Sequence, residues 1–594
     1  MSWGGECQLY SRSRRVPAAR RHTVGDGTRG QITPQLYAQP QGRNMIVFND
    51  LKHDLLEPSG GILMAPTTFA ATLEAHGLYS TKQFVLRLSP RVHELVDALA
   101  SGDFGGHDPA DLIQAYSTYI HETIHWWQHV GSTAGLIFSL CYPAQFSSSL
   151  EHLQKAIAEI GPKKSLKRWA DDALLHGTAP SAEALAEANI AVNNALDIEF
   201  YKFFAHSPNR SSELRQNQHF ESVGHSYRIA YGNTLMALLQ SCDLEPDSLP
   251  DPERWQAEFD RLSVTRHEGF YHGSPITRGD VGLHVIFEGQ ARFIQLQFLA
   301  SSGGPSTCAA YAADGYLSGI YVDAFTEFLR LSESEWPEAI DSPLVGLFLL
   351  ICDLSINPTR GFPLDIERFE DFISDVDPGA RFALLCQAAR EHPEVKPAIQ
   401  AYSSEEYAFV SRVLTDRCGY DDPLVALRAV IAVSETVAGQ ALMAEWASFE
   451  YSAGNLPIRV MTSHFMDLCR SKLTHPHLFC WAGKALALGH TTQVFQELFL
   501  RHLSLFTDRA DSQQIFTRAF AGREGTALKR MLDTFMASTV LYDLTFQWVL
   551  RDGPFHYDFR SLTGGSQNEA MEIWAKNAFK AAFGHHPDDF EQLK

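Results

Sequence analysis

His121-Glu122-Thr123-Ile124-His125 decides how this chain of 594 residues is read, because a helix turns that spacing into a site. Residues four apart on an α-helix lie one turn above each other on the same face. Two imidazoles so placed reach a single Zn2+ at about 2.0–2.1 Å. Glu122, one step round the helix from His121, stands beside such an ion, where its carboxylate can take a proton from water. With 25 histidines in the chain, this pattern arises by chance only about 0.06 times per sequence of this length and composition.

The flanking residues predict the helix itself. Asp108-Pro109 reads as an N-cap and first helical residue, and Gly131 as the stop. Between them Leu112, Ile113, Tyr116, Tyr119, Ile120, Ile124, Trp127 and Val130 recur mostly at intervals of three or four. A helix so apolar is mostly buried, and two histidines and a glutamate inside it need partners, which a metal supplies. The competing reading is a pair of buried histidines satisfied by ordinary hydrogen bonds.

A catalytic zinc needs a third protein ligand. His129 continues the series, yet on an unbroken helix it lies about 12 Å along the axis from His121, too far to share an ion. It reads as a helix-end histidine or a partner of the ligands. Glu288, in Phe287-Glu288-Gly289-Gln290-Ala291-Arg292, is the better candidate. It falls on a second predicted helix, opened by Asp280 and closed near Gly303, with Val281, His284, Val285, Glu288, Arg292 and Gln295 along one side. His284, Asp197 and Glu199 are the alternatives.

The His-Glu-x-x-His stretch resembles the zincin metallopeptidase motif. Glu288-Gly289-Gln290-Ala291 resembles the second motif of gluzincins, in which a glutamate on a following helix completes a His2Glu zinc site. The resemblance covers only these two segments. It implies one Zn2+ per chain held by His121, His125 and Glu288, with Glu122 as general base in peptide-bond hydrolysis. Two features depart from the family. The distance in sequence from His125 to Glu288 is long and requires a helical insertion. Many gluzincins also place an aspartate four residues after the third ligand to orient a histidine, where this chain has Arg292. An arginine there pairs with Glu288 or a substrate carboxylate, or forms a plain i,i+4 ion pair.

Composition is that of an ordinary globular chain, 45% hydrophobic and 20% charged. A net charge of −21 argues against nucleic acid or an anionic membrane as partner. The longest apolar runs, such as Leu344 to Cys352, are too short to span a bilayer. Nine cysteines, scattered singly with no Cys-x-x-Cys, read as reduced thiols in a cytoplasmic protein. There is no Gly-x-Ser-x-Gly elbow and no Walker A loop. Glu122-x-x-His125 has no second copy of the kind a di-iron bundle needs.

The expected organisation is mainly α in four parts. Residues 1–44 form a disordered basic extension, with seven arginines against Glu6 and Asp26. Residues 45–105 form a small α/β region, with strand-like pieces at 45–48, 61–64 and 83–88 and a helix opening at Ser89-Pro90. By analogy with zincins, an edge strand there would pair with extended substrate. Residues 106–304 form a zincin-like metal-site core with a helical insertion, including helices over 147–161, 181–206 and 224–240. Residues 305–594 form a helical C-terminal domain with no fixed repeat.

Around the motifs, Trp126 and Trp127 read as core or, alternatively, as the lining of a substrate pocket, while His267, Tyr271, His272 and Arg292 are candidates for the donor that steadies an oxyanion. His475, His477, His585 and His586 are given no role. The leading expectation is a zinc peptidase acting on peptide or protein substrates. The rival is a non-catalytic helical scaffold with a structural or degenerate metal site, closed by a fourth protein ligand such as His129 or His284.

Overall fold

The computed structural model describes residues 51–56, 85–86, 88–102, 105–206, 208, 214, 217–275, 279–452, 456–487, 491–508, 515–517, 525–559 and 568–593. The expected basic extension and the strands at 45–48 and 61–64 lie outside these residues. Within them helix follows helix, so the fold is mainly α as expected. Most boundaries carry the local chemistry that sets them. Ser89, Asp108, Ser132, Ser165 and Ser222 each precede a helix, with a side chain accepting from a first-turn amide.

Seven helices build the surroundings of the motif: α1 (Pro109–Gly131), α2 (Thr133–Ile160), α3 (Ala182–His206), α4 (Val223–Ser241), α5 (Leu283–Ser301), α6 (Ile320–Ser332) and α7 (Leu456–Thr474). Every residue of α1 from Asp111 to Gly131 is buried except Glu122. Helix α1 packs against α5 and α7, while α2 packs against α3 and α4 and α5 against α6. Most buried apolar side chains among the described residues form one cluster running from Leu51 to Phe590, with Tyr142 and Phe546 as a small second one.

The turn between α1 and α2 differs from expectation. Gly131 remains helical, and Ser132, extended at φ −118° and ψ 153°, both ends α1 and caps α2. Its hydroxyl donates to the Gln128 carbonyl at 2.5 Å and accepts from the Gly135 amide at 3.0 Å. A Cβ at Gly135 would lie 1.9 Å from that same Gln128 oxygen, so the corner admits only glycine. Gly131 answers to packing instead: a Cβ there would stand 2.9 Å from Leu468 Cδ1 of α7.

Helix α2 opens at Thr133, not near Ser147, and carries Pro143 inside it. A proline costs a helix one backbone hydrogen bond, but every residue from Thr133 to Gln145 is buried, and that packing outweighs the local break. Helix α5 opens after Gly282 rather than at Asp280, with no side-chain cap. Gly289 permits its close approach to α6, since a Cβ there would lie 3.3 Å from the Ala324 Cβ.

Strands are few. β1 (Val85–Leu86) pairs parallel with β3 (Phe506–Asp508), which pairs antiparallel with β4 (Ile515–Thr517). β2 (Lys163–Lys164) pairs parallel with β5 (Glu591–Gln592). The strand expected over 83–88 is thus two described residues long, and its partner comes from more than 400 residues away. Among the described residues no single helix is long and apolar enough to cross a membrane, though Pro423–Glu435 and Val437–Ser448, bent by 87°, pass that test as a pair. All described cysteines are free thiols.

Candidate metal centre

The motif histidines converge. His121 Nε2 and His125 Nε2 lie 3.1 Å apart on the face of α1 that meets α5. Glu288 Oε2, from α5, lies 3.6 Å from His121 Nε2 and 3.4 Å from His125 Nε2. The long intervening sequence therefore does not separate them, because α2, α3 and α4 fold away as a packed group while α5 returns to α1.

The triangle tests whether these residues suit a metal. Four ligands in a regular tetrahedron with bonds of about 2.0–2.1 Å stand about 3.3–3.4 Å from one another. The three observed edges, 3.1, 3.4 and 3.6 Å, bracket that value. Two imidazoles and a carboxylate are also a ligand set that zinc takes. Glu122 offers a carboxylate oxygen as well, within 4.8 Å of both imidazoles. The tighter distances belong to Glu288, which leaves Glu122 as the group beside the trio. Glu122 is half-buried and the side chain of Glu288 is 20% exposed, while His121 and His125 are almost wholly enclosed.

Burial and mutual charge set the protonation of the three groups. Burial pushes His121 down to about 4, against the opposing hydrogen bond from Glu288. Burial is again the largest single influence on His125, but the charge and hydrogen bond of Glu288, the charge of Glu122 and the hydrogen bond to Gln128 together outweigh it and hold this ring up at about 9. Burial works against ionising Glu288, yet His125 and then His121 keep its carboxyl well below the usual range. A proton shared among three convergent donors is what a cation replaces on binding.

Around the trio the structure adds groups that sequence reading did not single out. His125 Nδ1 lies 2.8 Å from the Gln128 amide oxygen, and the Gln128 amide nitrogen donates to Phe287 O and to Gln290 Oε1, both at 2.9 Å. Tyr321 of α6 stands edge-on to His121, with ring centroids 6.1 Å apart, and the Arg292 guanidinium covers its face at 3.9 Å. A glutamine three residues after the second histidine shares its helix face, so Gln128 carried a signal. Tyr321 carried none.

The other candidates are placed elsewhere or in other roles. His129 is buried with its ring edge-on to Phe287 at 4.9 Å. His284 stacks on His206 at 4.7 Å, one turn before Glu288. Asp197 accepts from Ser226 Oγ at 2.9 Å and faces His225 Nε2 at 3.2 Å, while Glu199 accepts from the Tyr142 hydroxyl at 2.9 Å. Arg292 is buried, donates to Gln295 and lowers His121 by its charge. His267 contacts Phe270, Tyr271 lies under Arg266, and His272 is exposed. Trp126 and Trp127 are core, the latter donating to His502 O at 2.8 Å.

No family model, no curated protein and no solved structure matches this chain.

Proposed function

We propose that this chain is a zinc-dependent hydrolase of peptide or protein substrates, acting in the cytoplasm. The observation that carries the reading is the placement of Glu122. It is the one residue between Asp111 and Gly131 that is not buried, and it stands next to a trio whose spacing suits a tetrahedral ion. His121, His125 and Glu288 would hold the metal, leaving one position of a tetrahedron to a non-protein ligand. Zn2+ bound there supplies Lewis acidity, which acidifies a water and polarises a carbonyl.

Glu122 takes the proton of the attacking water and returns it to the leaving nitrogen. Its half-buried position lets it reach solvent and substrate while the two histidine ligands stay enclosed. Arg292, wholly buried, acts on His121 by charge and supports Tyr321 rather than touching substrate. The amide bond as target rests on the resemblance of the two motifs, and the compartment on the free thiols.

The test compares the parent with Glu122→Gln on a mixed peptide library, reading new termini by mass spectrometry. Glu122→Gln is nearly isosteric and cannot accept the proton, so it should keep zinc and fold and lose turnover by about 10²–10⁴-fold. Equal cleavage by both proteins removes the catalytic assignment. Because Glu122 lies within 4.8 Å of both imidazoles, a structural site closed by Glu122 is the second reading. Loss of zinc in Glu122→Gln, with no cleavage by the parent, would select it.

A further inference from the structure

The tautomer of His125 decides which of its ring nitrogens can bind a cation. A metal-binding imidazole must present a bare nitrogen to the ion, and the other ring nitrogen's hydrogen bond decides which one is bare. Many gluzincins, which the two motifs resemble, place a histidine-orienting aspartate where this chain has Arg292.

Gln128 is buried, and its amide has only one orientation that satisfies its neighbours. Phe287 O is a backbone carbonyl and can only accept. The Gln128 atom 2.9 Å from it is therefore the amide nitrogen, which also donates to Gln290 Oε1 at 2.9 Å. The amide oxygen must then be the atom facing His125 Nδ1 at 2.8 Å. An oxygen of that kind only accepts, so Nδ1 carries the hydrogen. In the neutral ring Nε2 is then left bare, and Nε2 is the atom that faces His121 Nε2 and Glu288 Oε2. His121 has no such device among the described residues, where its Nδ1 has no hydrogen-bond partner.

The same side chain ties the two ligand-bearing helices together. Phe287 and Gln290 bracket Glu288 on α5, so one amide on α1 holds His125 by its oxygen and the segment around Glu288 by its nitrogen. From these contacts we infer that Gln128 is the positioning residue of the metal centre: it fixes His125 in the Nδ1–H tautomer and so presents the bare Nε2 to the ion. This rests on the metal reading of His121, His125 and Glu288.

Two substitutions separate tautomer control from a merely structural tie. Gln128→Leu removes all three hydrogen bonds. Gln128→Glu keeps an acceptor for His125 Nδ1–H but loses both donors to α5. Zinc affinity is measured for the full chain by competition with a chromophoric chelator, and the melting temperature is measured without zinc. Gln128→Leu should bind zinc about 10–100-fold more weakly. Gln128→Glu should stay within about threefold of the parent, because carboxylate–histidine–zinc pairs are an established arrangement, although both variants melt lower.

Equal weakening in the two variants would make Gln128 a structural tie only and overturn the inference, as would parent-like affinity in Gln128→Leu. If Gln128→Leu does not fold, Gln128→Glu decides alone: more than tenfold weakening refutes the tautomer role, and retained affinity supports it. A parent that binds no zinc defeats the metal reading instead, a result distinct from either.

Discussion

Removing the Glu288 carboxylate tests the assembly of the site across the longest stretch of sequence. In Glu288→Ala the Oε2 that lies 3.4 and 3.6 Å from the two imidazoles is lost, and nothing shorter can reach them from that position. Protein-bound zinc typically contributes about 10–16 kcal/mol, so one of four ligands is worth on the order of 3–4 kcal/mol, or about 10²–10³-fold in affinity. The fold should survive. Alanine is the best helix former, the residue lies in the interior of α5, and its side chain is 20% exposed.

The assay is chelator competition on Glu288→Ala beside Asp197→Ala, whose carboxylate is already committed to Ser226 and His225. Circular dichroism on both proteins checks folding. Glu288→Ala should lose about two to three decades of zinc affinity, and Asp197→Ala should lose none. Parent-like affinity in Glu288→Ala would refute the reasoning and pass the third-ligand role to Glu122, whose carboxylate lies within 4.8 Å of both imidazoles.

Two further outcomes follow from the fold. Gly135→Ala puts a Cβ 1.9 Å from Gln128 O, so the corner must open, at a cost of about 3 kcal/mol or more. A urea midpoint equal to the parent's would contradict that, and zinc binding should weaken with it because Gln128 shifts. Burial raises Glu199 to about 7, Lys202 opposing. A carboxyl whose folded value lies above its unfolded one stabilises the fold at low pH, and that contribution is lost as pH rises from about 4.5 through about 7. The parent should therefore lose up to about 3 kcal/mol between pH 5 and pH 8 that Glu199→Gln does not lose. Parallel stability curves for the two proteins would refute this.

The legible part of the site is its local part. Asp108 and Pro109 gave the start of α1 to the residue, and the spacing of His121 and His125 put both rings on one face because that is a property of one helix. Glu288 was reachable from a short motif on a second helix. Groups fixed by tertiary contact were not. Tyr321 meets His121 only because α6 packs on α5 through the missing side chain of Gly289. The pairing of Val85–Leu86 with Phe506 and Thr507 joins segments with no local signal for each other. Helix α2 begins at Thr133, well before the expected 147, because burial on all sides holds the helix through Pro143. Gly131 looked like a stop, and the stop is the Ser132 cap that follows, with Gly131 serving Leu468 of α7.

The central claim is that His121, His125 and Glu288 form one metal centre, and metal content tests it most directly. Full-length protein purified without chelator should carry about one zinc per chain by elemental analysis, falling to near zero in His121→Ala and His125→Ala while both remain folded. A parent free of zinc even after incubation with the metal, or full zinc in both histidine variants, would contradict the account.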